Sequence, residues 1–133
     1  MQTATKMAPA PVSKKKPVAG WVLSGLAIAF LLMDAVMKLL KLPVVVEGSA
    51  KVGYPENTVF PIGVVLFVCT LLYAIPRASV IGAVLLTGYL GGAIATHVRV
   101  GDPLFSHTLF PIYVAVLIWG GLYLRDPRVR ALI

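Results

Sequence analysis

Apolar residues run through this chain in four long blocks, at about 18–42, 58–75, 78–100 and 104–124, separated by short polar breaks rich in Gly and Pro. Each block approaches or exceeds the ~20 residues a helix needs to cross a ~30 Å hydrocarbon core. Within lipid a backbone satisfies its own hydrogen bonds only as a helix or a closed barrel, and continuous runs of this length read as helices. The first run is longer than a signal-peptide core, and no small-residue cleavage site follows it cleanly. A retained signal-anchor helix is expected there.

The breaks define the topology. Residues 43–57, with Glu47, Gly48, Lys51, Gly53, Pro55 and Glu56, read as a polar loop. Pro61 is expected in the first turn of the second span, where a missing N–H is tolerated. Pro76-Arg77 makes a tight connection, Gly101-Asp102-Pro103 turns the chain, and Pro111 should end or kink the first turn of the fourth span. Short connections between long helices imply antiparallel neighbours, so the expected fold is an all-α membrane protein, a four-transmembrane-helix antiparallel bundle over 18–131. Residues 1–17, polar and with the run Lys14-Lys-Lys16, read as a disordered basic cytoplasmic tail.

An internal repeat overlies this plan. Residues 58–73 and 108–123 share seven of sixteen identities at an offset of 50, including Phe60-Pro-Ile62 and Phe110-Pro-Ile112, and end in Tyr73 and Tyr123. It reads as a duplicated helix hairpin. The alternative is two helices that enter from the same side near a Pro and end in a tyrosine belt.

Charge changes the picture in one respect. Lys and Arg number 12 against 5 Asp and Glu. In a soluble protein this excess would point to nucleic acid, but here the cations flank apolar runs, and no nucleic-acid partner is expected. With four spans, Lys6, Lys14, Lys15, Lys16, Arg77, Arg125, Arg128 and Arg130 share one side, and Lys38, Lys41, Lys51 and Arg99 the other. The bias places both termini in the cytoplasm. A single cysteine, Cys69, excludes an internal disulfide or CxxC pair and reads as a small apolar residue.

Ionisable residues near the outer end carry the candidate chemistry. Asp34, Lys38 and Lys41 share one helical stripe, which continues inward through Ala27, Leu23 and Gly20. Asp34 and Lys38 can form an intrahelical ion pair. With Glu47, Glu56, His97, Arg99, Asp102 and His107 they form a mouth able to bind a small polar or anionic ligand or to shuttle protons. The same residues can equally be interlocked loop salt bridges. Helical phase puts His97 roughly opposite Arg99. Gly88, Gly92 and Thr96 read as a close-packing stripe. His97, Asp102 and His107 match no strong metal spacing, and no metal site is expected. No phosphate loop, nucleophile elbow or HExxH helix is present, so no catalytic motif marks the chain as an enzyme, and the balance leans against one without excluding it.

The segments Val22 to Lys41, Gly53-Tyr-Pro55, Phe60-Pro-Ile-Gly63, Tyr73-Ala-Ile-Pro-Arg77, Gly88 to Pro103 and Gly121-Leu-Tyr-Leu-Arg-Asp-Pro-Arg128 resemble the DoxX-like family of small bacterial membrane proteins. The resemblance covers about 18–131 and implies a four-helix inner-membrane protein. Relatives include subunits linked to thiosulfate:quinone oxidoreductase, and others are tied to redox stress or membrane complexes. It supplies no catalytic residues to carry over, and this chain lacks the cysteine pair of a thiol–quinone enzyme. The leading expectation is a non-catalytic subunit or accessory protein of a membrane complex, homo-oligomeric or with a partner; no cofactor is expected of the chain, and quinone is the one candidate such a complex would bring. The alternative is a small-solute or lipid binding or transport protein using the polar mouth. A third is a membrane oxidoreductase in which His97 or His107 passes protons to quinone.

Overall fold

The computed structural model describes residues 15–132. Most of the tail expected to be disordered lies outside them. Six α-helices follow one another: α1 (Lys15–Leu39), α2 (Pro43–Lys51), α3 (Glu56–Ala74), α4 (Ser79–Val100), α5 (Phe110–Arg125) and α6 (Pro127–Leu132). A 3-10 turn at Pro76–Ala78 joins α3 to α4, and a π-helical turn at Leu104–Thr108 leads into α5. Four segments, Lys16–Leu39, Glu56–Ala74, Pro76–Val100 and Leu104–Arg125, are long and apolar enough to span a membrane. The four long helices form a ring in which α1 packs on α3 and α5, and α4 closes it from the far side. One end carries α2 and the turn at 101–109. The other carries the start of α1, the α3–α4 turn and α6.

Several boundaries differ from expectation. The loop read over 43–57 contains α2, for which Pro43 at the first helical position supplies the preset φ. Helix α3 starts at Glu56, so Pro61 falls inside its second turn rather than its first. The basic tail after Arg125 forms the short helix α6. The chain reverses three times at the α2 end by the same device, a left-handed residue just past a helix. Lys41 (φ 51°), Gly53 (φ 96°) and Gly101 (φ 74°) occupy it. In each, the next amide reaches back five residues: Leu42 to the Met37 carbonyl (3.2 Å), Tyr54 to Ser49 (2.9 Å) and Asp102 to His97 (3.1 Å). This is the Schellman closure of a helix C-terminus.

The interior consists of one stripe per helix: Ala27, Leu31 and Ala35 of α1; Leu66, Cys69 and Tyr73 of α3; Ala83, Leu86 and Leu90 of α4; Val114, Ile118 and Leu122 of α5. In lipid, apolar side chains gain little by facing each other, so close backbone approach and polar contacts must hold the helices together. Both are present at the terminal end. A Cβ on Gly20 would lie 2.7 Å from the Gly121 carbonyl oxygen, and one on Gly121 would lie 2.5 Å from Ser24 Oγ. Beside this crossing a hydrogen-bond chain runs through three helices. Arg125 Nε donates to Ser24 Oγ (2.8 Å), Ser24 donates to Tyr73 Oη (2.8 Å), and Tyr73 donates to the Ile118 carbonyl (2.7 Å). The single Tyr73 proton goes to Ile118, which fixes the direction of the Ser24 contact. The Arg125 guanidinium also stacks 4.0 Å from the Trp21 ring centre. Tyr73 is thus wholly buried, whereas its repeat counterpart Tyr123 is 43% exposed. The paired tyrosines do not form a common belt.

Asp126 caps α6. Its Oδ1 accepts from the Arg128 amide (2.9 Å), and its Oδ2 from Arg128 Nη2 (2.8 Å). Arg128 Nη2 also donates to the Pro76 carbonyl (2.7 Å), tying α6 to the α3–α4 turn. The guanidinium hydrogen bonds hold the Asp126 carboxyl below the ordinary carboxylate value, against the opposing effect of burial. A depressed folded-state pKa gives stability that is fully present above the ordinary value of about 4 and is lost as pH falls through the depressed one. The thermal midpoint should therefore fall between pH 5 and strongly acid pH partly through this group, and Asp126→Asn should reduce that fall. An unchanged acid dependence in Asp126→Asn would exclude the group from it.

Candidate functional site

At the α2 end, α3 and α4 leave a cavity of about 610 Å³ between themselves and α1, and α2 covers its aqueous side. Asp34 and Lys38 form its α1 wall, Tyr89, Ala93 and His97 its α4 wall, and Val45, Gly48, Ser49 and Val52 its roof. A smaller cavity of about 190 Å³ lies between α1, α4 and α5, against Phe30, Phe110 and Val114. Asp34, Lys38, Tyr89, Ala93 and His97 border both spaces, so the charged residues stand as a partition between them.

The partition is built from local sequence. Asp34 and Lys38 lie one turn apart on α1, and Lys38 Nζ donates to Asp34 Oδ1. The Lys38 stem lies in a notch at Gly63 of α3, where a Cβ would meet Lys38 Cβ at 2.8 Å. Opposite them, His97 Nδ1 lies 2.6 Å from Asp102 Oδ2. That contact depends on Gly101, whose left-handed conformation folds Asp102 back over the last turn of α4. His107 stands edge-on to His97 with ring centres 5.9 Å apart, and its own Nδ1 is 2.8 Å from Ser106 Oγ.

The eight candidate residues do not converge. Asp34, Lys38 and His97 line the cavity, and Asp102 and His107 support it through His97. Glu56 pairs with Lys41 at 3.3 Å on the exposed surface, and Glu47 is exposed on α2 away from the lining. Arg99 Nη2 donates to the Val52 carbonyl (2.6 Å), fastening the end of α2 rather than facing the cavity. The helical-phase argument that separated Arg99 from His97 agrees with this arrangement. The contacts within the cluster are mostly pairwise ion pairs and hydrogen bonds, and the cavity is what brings three of the residues to one space.

The glycine expectation requires correction. A Cβ on Gly88 or Gly92 would meet nothing within 4 Å, so these glycines bring no helix of this chain close; both border the cavity. Close packing falls instead to Gly20, Gly63, Gly82 and Gly121. Thr96 does join segments: it donates to the Gly92 carbonyl (2.8 Å) and accepts from Tyr54 Oη (2.9 Å). Sequence reasoning passed over Tyr54, Tyr89 and the roof of α2. The Gly-x-Pro pattern at 101–103, Gly past a helix with Pro soon after, is the signal that would have placed Asp102 beside His97. Among the described residues no group of three or more His, Cys, Asp or Glu is placed to hold a metal ion.

Four spanning helices around a partly charged interior define a multi-pass integral membrane protein. The chain belongs to the DoxX-like family, whose model matches residues 22–121. No curated protein and no solved structure matches it.

Proposed function

We propose that this DoxX-like protein binds a small molecule in the cavity beneath α2. The observation that carries the reading is the cavity itself. Its volume lies within the ~300–1,000 Å³ typical of ligand sites, and polar groups, the charged Asp34 and Lys38 with His97, Tyr54, Tyr89, Ser49 and Thr96, stand among Val45, Val52, Ile62, Ala93 and three glycines. Charged groups at membrane depth are costly, and pairing alone does not require that they border two open spaces. A double variant, Asp34→Asn with Lys38→Met, keeps the wall neutral while removing its charges. Native mass spectrometry of wild-type protein extracted with its lipids should show a bound species that the double variant loses. No bound species on the wild type, or equal retention by the variant, would overturn the reading.

A second reading, a subunit of a larger membrane complex, is favoured by the exposed small-residue face of α4 at Gly88, Gly91, Gly92 and Ala95. Quinone would belong to such a complex. For either reading the α2 end faces outward across the bacterial inner membrane, on the strength of the cation bias. A membrane-impermeant thiol reagent applied to intact cells should label Ser49→Cys but not Ser13→Cys. The reverse pattern would invert the orientation.

A further inference from the structure

Exposure along α4 follows one lipid-facing stripe: Ile81, Val84, Leu85, Gly88, Gly92 and Ala95 are all exposed. Gly88 and Gly92 belong to that stripe and also border the cavity, so the space beneath α2 meets the lipid-facing surface of α4 where side chains are missing. They lie 12 and 8 residues before Val100, roughly 18 and 12 Å below the end of α4, a depth filled by acyl chains. The opening is a consequence of how the hairpin is built. At the terminal end a Cβ on Gly82 would come within 2.3 Å of the Tyr73 amide nitrogen, so α3 and α4 touch there. Towards the α2 end Gly88 and Gly92 touch nothing. Meanwhile α2 roofs the aqueous side, fastened by Arg99 on Val52 and by Tyr54 on Thr96.

We propose that the ligand is a zwitterionic, chain-bearing amphiphile of the bilayer that enters sideways past Gly88 and Gly92. Its chain lies along that glycine edge, and its headgroup meets the Asp34–Lys38 wall. This rests on the ligand-binding reading above and names its ligand class. The wall presents one negative and one positive group in contact, Asp34 and Lys38, whose free Asp34 oxygen and remaining Lys38 N–H groups are complementary to the ammonium and the phosphate of one headgroup. A ligand carrying net charge would add an uncompensated charge beside an already balanced pair at membrane depth. His97 is already engaged, with its Nδ1 2.6 Å from Asp102 Oδ2.

The test uses the full chain in vesicles of phosphatidylethanolamine and phosphatidylglycerol, with a trace of phosphatidylethanolamine carrying a diazirine in its acyl chain. Photolabel should concentrate on α3 and α4 residues that face the cavity. Gly92→Leu fills the opening at a position with free space for a side chain. It should cut that labelling by about tenfold while leaving the thermal midpoint intact. Ala95→Leu, on the same stripe but outside the lining, should label like wild type. Unlabelled phosphatidylethanolamine should compete better than phosphatidylglycerol. Equal labelling of Gly92→Leu and wild type, or label spread evenly over the four helices, overturns lateral entry. Better competition by phosphatidylglycerol overturns the zwitterionic headgroup. If native mass spectrometry instead finds a chainless water-soluble molecule that the Asp34→Asn/Lys38→Met variant loses, the cavity reading stands and the amphiphile falls. Neither label nor bound molecule removes both.

Discussion

Replacing Gly82 with alanine should be the most damaging single-methyl change in this protein, while the same change at Gly92 should be harmless or stabilising. At Gly82 the new Cβ would sit 2.3 Å from the Tyr73 nitrogen, 2.5 Å from its Cα and 2.8 Å from the Leu72 carbonyl carbon. These are backbone atoms, so no rotamer change relieves the overlap. They are also held firmly, because Ser79 Oγ lies 2.8 Å from the Tyr73 carbonyl oxygen and 2.9 Å from that of Ile75. The hairpin must spread, and forced overpacking of this kind costs about 1–3 kcal/mol or more. Spreading would also pull Tyr73 from Ser24 and Ile118, so the upper end of that range is expected. At Gly92 nothing lies within reach of a Cβ, and exchanging Gly for Ala in an exposed helix gains up to about 1 kcal/mol. Thermal unfolding of the two variants in one detergent or nanodisc preparation compares them directly. A Gly82→Ala protein as stable as wild type would remove the close contact. A destabilised Gly92→Ala protein would mean that this edge packs against something outside the chain.

The contrast between these two glycines marks how far sequence alone could be read. The four spans were legible because an apolar run long enough to cross a bilayer has few other uses, and α1, α3 and α4 fall within three residues of the expected limits, whereas α5 begins at Phe110, six residues after the expected 104, because Leu104–Thr108 forms a separate π-helical turn. The short helix α2 was not, because Val-Val-Val-Glu-Gly-Ser-Ala between two prolines carries no helical periodicity; Pro43 and the residues around it form a helix in the tertiary setting. A four-residue glycine spacing looks the same on every face of a helix. Which face meets a neighbour is decided by the ring order, so Gly88 and Gly92 were given a packing role that Gly82 and Gly121 perform. The site was half legible. Asp34 and Lys38 were paired correctly from spacing, and the phase difference between His97 and Arg99 was real. Proximity to the α2 end could not distinguish residues lining the cavity from Glu47 and Glu56, which are not part of its lining.

Lys38→Met should destabilise the protein by up to about 3 kcal/mol, and adding Asp34→Asn should restore most of the loss. Methionine keeps an unbranched stem in the Gly63 notch, so the change removes charge with little loss of packing. What remains is a carboxylate inside the bundle whose cation has gone. Breaking a buried pair by deleting one member typically costs about 3–5 kcal/mol, and cavity water relieves part of that here because the Asp34 side chain is 29% exposed. The two single changes should be unequal. In Asp34→Asn the freed ammonium can extend along its four-carbon stem towards the α2 end, whereas a short carboxylate cannot reach water by extension. The expected order of stability is wild type and the double variant together, then Asp34→Asn, then Lys38→Met. The coupling in that cycle isolates the pair from its surroundings. If all four proteins unfold at the same temperature, the pair is fully hydrated and imposes no constraint on the fold. If the double variant is stable but has lost the bound species, the charges are retained for recognition and the bundle does not need them to stand. Proteins keep costly charge at membrane depth when something must be met there.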